Sequence, residues 1–236
     1  MTDVALVTGA AGALGAEVAR TLHARGCKLA LVDAPHGAER LGKLAAELGG
    51  ACVVTGDIAA EGVWAEAMPR IERELGAAPS KAALVAGGWR GGTPLHAEAS
   101  DETWRAMMTA NLETVHRSLR ALLPPMVAHK RGSVVVIGSR AAVAPATSAG
   151  AAAYAASKAA VVALAQAVAA EVLAHGVRVN AVLPSTMDTP ANRAAMPKAD
   201  PATWVSLASA AGVVAFLLGD EARDVSGVAL PVYGRA

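Results

Sequence analysis

The chain has 236 residues, an apolar share of 54% and a formal net charge of +1. That length suits a single α/β domain spanning 1–236. The even charge, with no basic block or acidic tail, points away from nucleic acid and from a membrane surface as partners. Cys27 and Cys52 have neither paired nor metal-ligand spacing and the histidines do not cluster, so no metal site is expected. The cysteines read as reduced, buried thiols of a cytoplasmic protein, and the strand-like run from Asp3-Val4 leaves no room for a signal peptide.

Val4-Ala5-Leu6-Val7 is a short apolar run that ends in Thr8-Gly9-Ala10-Ala11-Gly12-Ala13-Leu14-Gly15. Helical periodicity follows, with Leu14, Val18 and Leu22 on one face and Gly26 closing the helix. A second run, Leu29 to Val32, ends in Asp33, which completes a β-α-β unit and predicts a parallel sheet. The alternation then repeats. Helices are predicted over Ala38–Leu48 and over Gly62–Leu75, where Pro69 marks a break or kink, and strands over Ala51–Thr55 and Ala82–Ala86. A long helix is predicted from Asp101 to about Leu123, stopped by Pro124-Pro125. Ser133–Ile137 reads as a strand, and an alanine-rich helix runs from Tyr154 to about His175, ended by Gly176. Its polar Lys158, Gln166 and Glu171 mark it as a buried or interface helix rather than a membrane span. Val177–Val182 is a strand closed by Pro184, and Ser185–Thr203 is predicted as an irregular lid. A helix over 206–218 and a strand over 228–232 finish the chain. The expected fold is α/β, a doubly wound parallel sheet of about seven strands, each apolar enough to be buried on both faces.

The glycine loop joins a strand to a helix, where backbone N–H groups and the helix dipole face an anion. Gly9, Gly12 and Gly15 then allow the tight turn, the approach of a pyrophosphate and strand–helix packing, which predicts dinucleotide binding. Asp33 at the end of the second strand is placed to accept from the adenosine ribose and to repel a 2′-phosphate. No basic residue stands in the loop or directly after Asp33, and Arg40 reads as a solvated helix charge, so NAD(H) is favoured over NADP(H). On a helix, Tyr154 and Lys158 project to the same side. An ammonium there would pull the phenol's pKa toward neutrality and fit it for proton exchange with a substrate oxygen.

Taken together, Thr8-Gly9-x-x-Gly12-x-x-Gly15 and Tyr154-x-x-x-Lys158 resemble the short-chain dehydrogenase/reductase family over essentially the whole chain. Asn111 matches the asparagine of that family's proton relay, Ser139 its catalytic serine, Asp57 its adenine contact and Thr189 the threonine beside its nicotinamide. The resemblance extends the expected cofactor contacts to Ala11, Leu14, Ile58, Ala86, Gly87, Pro184 and Thr186, along with Tyr154 and Lys158. It implies hydride transfer between nicotinamide and a small carbonyl or alcohol substrate. Tyr154 would exchange the proton, Lys158 would hold the nicotinamide ribose, Ser139 would bond the substrate oxygen and Asn111 would position a water. It also implies a homodimer or homotetramer built through the helices over 101–123 and 154–175.

There are departures from the pattern. Val85-Ala86-Gly87-Gly88 replaces the family's Asn-Asn-Ala-Gly, and Ser139 stands farther ahead of Tyr154 than the common spacing. Val85-Ala86-Gly87-Gly88-Trp89-x-Gly91-Gly92 also resembles dihydropteridine reductase, which implies a quinonoid pterin substrate as an alternative. A further alternative is a cofactor-sensing protein that keeps the fold without turnover.

Overall fold

Strands apolar on both faces need helices on both sides, and parallel pairing supplies them because each crossover carries a helix. The computed structural model, which describes residues 3–235, has this arrangement. Its strands are β1 (Val4–Thr8), β2 (Lys28–Asp33), β3 (Cys52–Thr55), β4 (Lys81–Leu84), β5 (Gly132–Ile137), β6 (Val177–Pro184) and β7 (Ala229–Val232). They form one parallel seven-stranded sheet in the order β3-β2-β1-β4-β5-β6-β7. The order reverses between β1 and β4, so loops leaving their C-terminal ends diverge there and open a crevice.

Alternate residues of each strand enter two cores. Val4, Leu6, Leu84, Val134 and Val136 face α3 (Val63–Leu75), α5 (Thr114–Ala128) and α6 (Ala152–Val172). Ala5, Val7, Leu31, Val135 and Ile137 face α1 (Ala13–Ala24), α2 (Ala38–Glu47) and α8 (Leu207–Leu218). Polar groups tie the sheet's N-terminal edge. The Asp3 carboxylate meets Lys81 at 2.8 Å, Arg131 at 2.6 Å and the Ser80 hydroxyl at 3.0 Å, joining the starts of β1, β4 and β5. Burial raises the Asp3 carboxyl, but those bonds and charges outweigh it and hold the group below its ordinary value. At the end of α8, the Arg178 guanidinium donates to the carbonyls of Leu217, Gly219 and Val225, partners for a cation where the helix dipole is negative.

Three segments differ from expectation. The predicted helix over 101–123 is α4 (Glu102–Met107), a π-helical turn (Met108–Glu113) and α5, which runs through Pro124-Pro125 to Ala128. Burial of Leu122 and Met126 continues the helix past the prolines, and the Arg120 carbonyl that Pro124 leaves without a donor lies on an exposed turn. Pro69 likewise sits within α3 without ending it. The lid over 185–203 is not structureless. It holds α7 (Pro190–Ala195), with Thr189 accepting from the Asn192 N–H at 3.1 Å, and a 3-10 turn over Pro201–Thr203. Thr189-Pro190 is itself a helix-start signature.

Both cysteines are buried and free, and burial with the Glu74 carboxylate pushes the Cys52 thiol up to about 12, so it packs as an inert apolar group. The stretch Ala152–His175 has the length and hydropathy of a membrane span, yet it lies along β5 and β6 and carries the buried Lys158.

Candidate active site

The expected site residues gather at the C-terminal edge of the sheet. Gly9 turns the chain at φ +66, a conformation glycine favours, and a Cβ there would lie 2.8 Å from the Ala86 backbone. A Cβ at Gly15 would run into the Gly9 carbonyl, so α1 can approach β1 only with glycine at that position. Gly12 caps α1 without a side chain, so the first-turn N–H groups of Ala13, Leu14 and Gly15 have no side-chain cap. This bare, dipolar helix start fits a pyrophosphate.

Asp33 ends β2, and its carboxylate accepts from the Ala11 and Ala34 N–H groups, both at 2.7 Å. Gly37 packs beside it, where a Cβ would be 2.9 Å from the Ala11 Cβ. Arg40 is an exposed helix charge, as expected, and its Nε also donates to the Ala11 carbonyl at 3.2 Å. At the end of β3, the exposed Asp57 accepts from the Ala59 N–H at 3.0 Å and Ile58 is buried beneath it.

The strand predicted over 82–86 ends at Leu84, and Val85–Gly92 leaves the sheet as a loop. The polar support that the missing asparagines would give comes from elsewhere. The Thr8 hydroxyl accepts from the Ala86 N–H at 3.1 Å. Asn111, fully buried on the π-helical turn, accepts from the Gly88 N–H at 2.9 Å and donates to the Gly88 carbonyl at 3.1 Å and to the Ser157 hydroxyl at 3.0 Å. Both amide hydrogens of Asn111 are thus engaged in holding the loop. The loop also docks on the segment before Tyr154 through Gly92 N–H to the Gly150 carbonyl at 2.8 Å, leaving Trp89 66% exposed at the rim. Gly37 and Ser157 carry no signal in the sequence, and the contacts that Thr8 and Arg40 make are not legible there either, because each is to a neighbour distant in the chain.

Ser139 follows β5, and the extra length before Tyr154 is taken up by a 3-10 turn over Pro145–Ser148. The Ser139 hydroxyl stands beside the Tyr154 phenol. Burial raises the phenol's pKa above its ordinary value and that hydroxyl partly offsets the rise. Lys158, 6% exposed, donates to the Ile137 carbonyl at 2.9 Å. Desolvation pushes its ammonium down to about 8. The expected lowering of the phenol by Lys158 is therefore not what this structure has. The amine is itself desolvated and points to a carbonyl, and burial dominates the phenol. Gly87 opens the floor between these groups, since a Cβ there would lie 2.7 Å from Asn111 Oδ1 and 3.3 Å from Lys158 Nζ. Pro184 ends β6, and the Thr186 carbonyl receives the Val205 N–H at 2.9 Å, which anchors the lid.

A doubly wound sheet with a bare helix start at its switch point, beside a serine, a tyrosine and a buried lysine, defines a nucleotide-binding enzyme of the oxidoreductase kind. Residues 3–200 match the family model described as short chain dehydrogenase. The chain is 36% identical over 201 residues to the 2,3-dihydro-2,3-dihydroxybenzoate dehydrogenase of Bacillus subtilis, covering 79% of this chain and 70% of the relative. It is 29% identical over 242 residues to the 3-oxoacyl-acyl-carrier-protein reductase FabG of Escherichia coli, covering 98% and 96%. A solved oxidoreductase of the short chain dehydrogenase/reductase family from Burkholderia thailandensis superposes with a TM-score of 0.85 at 31% identity, covering 99% of this chain and 92% of that one. The chain belongs to the short-chain dehydrogenase/reductase family, whose members are oxidoreductases that bind a nicotinamide cofactor.

Proposed function

We propose that this chain is an NAD(H)-dependent oxidoreductase that interconverts a secondary alcohol and a ketone, with Tyr154 as the proton-exchanging group. The carrying observation is the meeting of the Ser139 hydroxyl, the Tyr154 phenol and the buried Lys158 on the edge that bears the glycine loop. The glycine cradle, the uncapped start of α1 and the space above Gly87 fit a dinucleotide. Bound there, the cofactor supplies the hydride acceptor or donor. Gly9, Ala11, Gly12, Leu14 and Gly15 would line its pyrophosphate, Asp33 would accept from the ribose, Asp57 and Ile58 would flank the adenine, and Ala86, Gly87, Pro184, Thr186 and Thr189 would hold the nicotinamide half.

Burial keeps the Tyr154 phenol protonated, which suits it to donate to a carbonyl oxygen; in the reverse direction its phenolate, formed once that proton has left, would accept from a hydroxyl. Ser139 bonds the same substrate oxygen and favours its developing negative charge. Lys158 holds its amine between the Ile137 carbonyl and the Gly87 space, where a ribose hydroxyl can accept from it. Asn111 positions the Gly88 loop, so its part in any proton path lies with its backbone and a remaining Oδ1 lone pair. The names of the two curated relatives span a dehydrogenase of a dihydroxy compound and a reductase of an oxo compound, which supports alcohol–ketone chemistry here. The Ser139–Tyr154 pairing favours that chemistry over the pterin alternative, which needs no serine.

Quenching of tryptophan fluorescence by NADH, followed by turnover over a panel of small ketones, secondary alcohols and cyclic diols, tests this. Binding followed by turnover is expected. Binding without turnover on any of them would instead mark a cofactor sensor.

We also propose a cytoplasmic homo-oligomer. The outer face of α6 exposes Ala159, Ala163, Ala167 and Ala170, small side chains that permit a second helix to approach closely. Light scattering is expected to return a multiple of the chain mass, and Ala163→Arg to reduce it. A wild-type monomer at micromolar concentration would remove this reading.

A further inference from the structure

The residue after Ser139 is an arginine. Arg140 opens a 3-10 turn (Arg140–Ala142), and its carbonyl accepts from the Val143 and Ala144 N–H groups at 3.1 and 2.9 Å, so the root of the side chain is fixed. The side chain runs sideways: its guanidinium carbon stands 5.2 Å from the centre of the Tyr233 ring. Tyr233 follows β7, and β6 lies between β5 and β7. Continued past the strand ends, the pairing of Ile137 with Val182 and of Pro184 with Val232 brings Arg140, Ser185 and Tyr233 level. Arg140 therefore crosses the end of β6, where the lid starts. Tyr233 packs against the core under α6, on the side of the sheet where that helix carries Tyr154.

Both ends of the lid are tied to the same C-terminal segment. Ser185 donates its N–H to the Val232 carbonyl at 3.1 Å and its hydroxyl to the Tyr233 carbonyl at 2.8 Å, and the Thr203 carbonyl accepts from the Arg235 N–H at 3.0 Å. Tyr233 is thus a fixed platform that holds the guanidinium at the root of the lid. Three arginines are partly buried among the described residues. Arg117 pairs with Glu61 at 3.7 Å and Arg178 donates to three carbonyls. The Arg140 guanidinium has the face of Tyr233 and, among the described residues, neither an ion pair nor a hydrogen bond. Arg193, the cation within the lid, is already engaged by both Asp188 oxygens at 2.6 and 2.8 Å. A guanidinium drawn partly out of water gains most from an anion, and the donors at its edge match the two oxygens of a carboxylate in parallel bonds.

We propose that Arg140 is a substrate-binding residue that receives a carboxylate, so that this enzyme acts on hydroxy or oxo acids whose carboxylate lies a few bonds from the reacting carbon. The proposal rests on the alcohol–ketone reading of Ser139 and Tyr154 and adds the substrate's charge to it. The guanidinium leaves Ser139 toward β7, away from the glycine loop, so the carboxylate sits on the side of the reacting carbon remote from the cofactor.

Steady-state kinetics with NADH on oxo acids of increasing chain length, each beside its methyl ester, test it, with tryptophan quenching by NADH as the control on the cofactor site. For the best acid, wild type is expected to favour the acid over its ester by about ten- to hundredfold in kcat/KM, the worth of a charge-assisted hydrogen bond. Arg140→Met is expected to bring that ratio close to one by raising KM for the acid. Arg140→Lys is expected to keep part of the preference, because an ammonium retains the charge without the fork. The proposal is overturned if wild type handles acid and ester alike or prefers the ester. It also falls if Arg140→Met lowers kcat/KM for both equally, since Arg140 is then only a buttress on Tyr233. In each of those cases turnover of neutral ketones leaves the proposed function standing; absence of turnover on every acid, ester and ketone removes both.

Discussion

Tyr154→Phe is expected to lower turnover by ~10²–10⁴-fold, the usual worth of a positioned acid/base group, while NADH binding stays as in wild type. The ring keeps its packing, because the substitution removes only the phenolic oxygen, whose neighbour is the Ser139 hydroxyl. The missing group is the phenolic proton alone. A group that acts only as bonds change in the transition state lowers kcat and kcat/KM together. Steady-state kinetics on whichever alcohol or ketone the panel reveals would check this. Turnover within a few-fold of wild type would place the proton transfer on another group, and a rise in KM alone would make Tyr154 a substrate contact.

Lys158→Met separates stability from function at the same site. Burial holds the folded-state value at about 8 against an ordinary 10.5. Between those values the unfolded chain binds more protons than the folded one, so stability rises with pH across the window. Below about pH 8 the cost of the buried cation is fully present. A shift of that size makes wild-type stability climb by about 2 kcal/mol more than that of Lys158→Met between about pH 7 and about pH 9.5. Other titrating groups are common to both proteins and cancel in the difference. The variant is also expected to lose ~10²-fold or more of turnover, because the amine proposed to hold the nicotinamide ribose is gone. Denaturant midpoints at the two pH values give the measurement. Parallel pH dependence in the two proteins would mean that Lys158 is solvated and charged throughout, with no perturbed pKa to exploit.

Much of the molecule is legible in the chain because its signals are local. Short apolar runs and glycine-closed helices place the seven strands to within a few residues, since strands covered on both faces are built of nearly continuous apolar residues, and the buried polar ones among them, Thr8, Ser133 and Asn180, are hydrogen-bonded. The elements that depart from expectation are those whose course depends on distant partners. α5 crosses two prolines because Met126 has a core to enter, and the π-helical turn at Asn111 aims that amide at Gly88 and Ser157. Neither influence leaves a pattern in neighbouring residues.

The site divides in the same way. The glycine loop and the Tyr154–Lys158 spacing are local patterns, so the sequence alone determines a nucleotide-binding oxidoreductase with Tyr154 and Lys158, the pair proposed for proton exchange, on one helix face. The pKa order within that pair is decided by burial, which raises the phenol and lowers the ammonium. Spacing alone suggested that the ammonium would pull the phenol down. Desolvation depends on everything packed around a group rather than on its neighbours in sequence. Arg40 shows this most plainly. In the chain it is one charge on a helix, and only the fold of Gly37 against Ala11 brings it to the glycine loop, opposite Asp33.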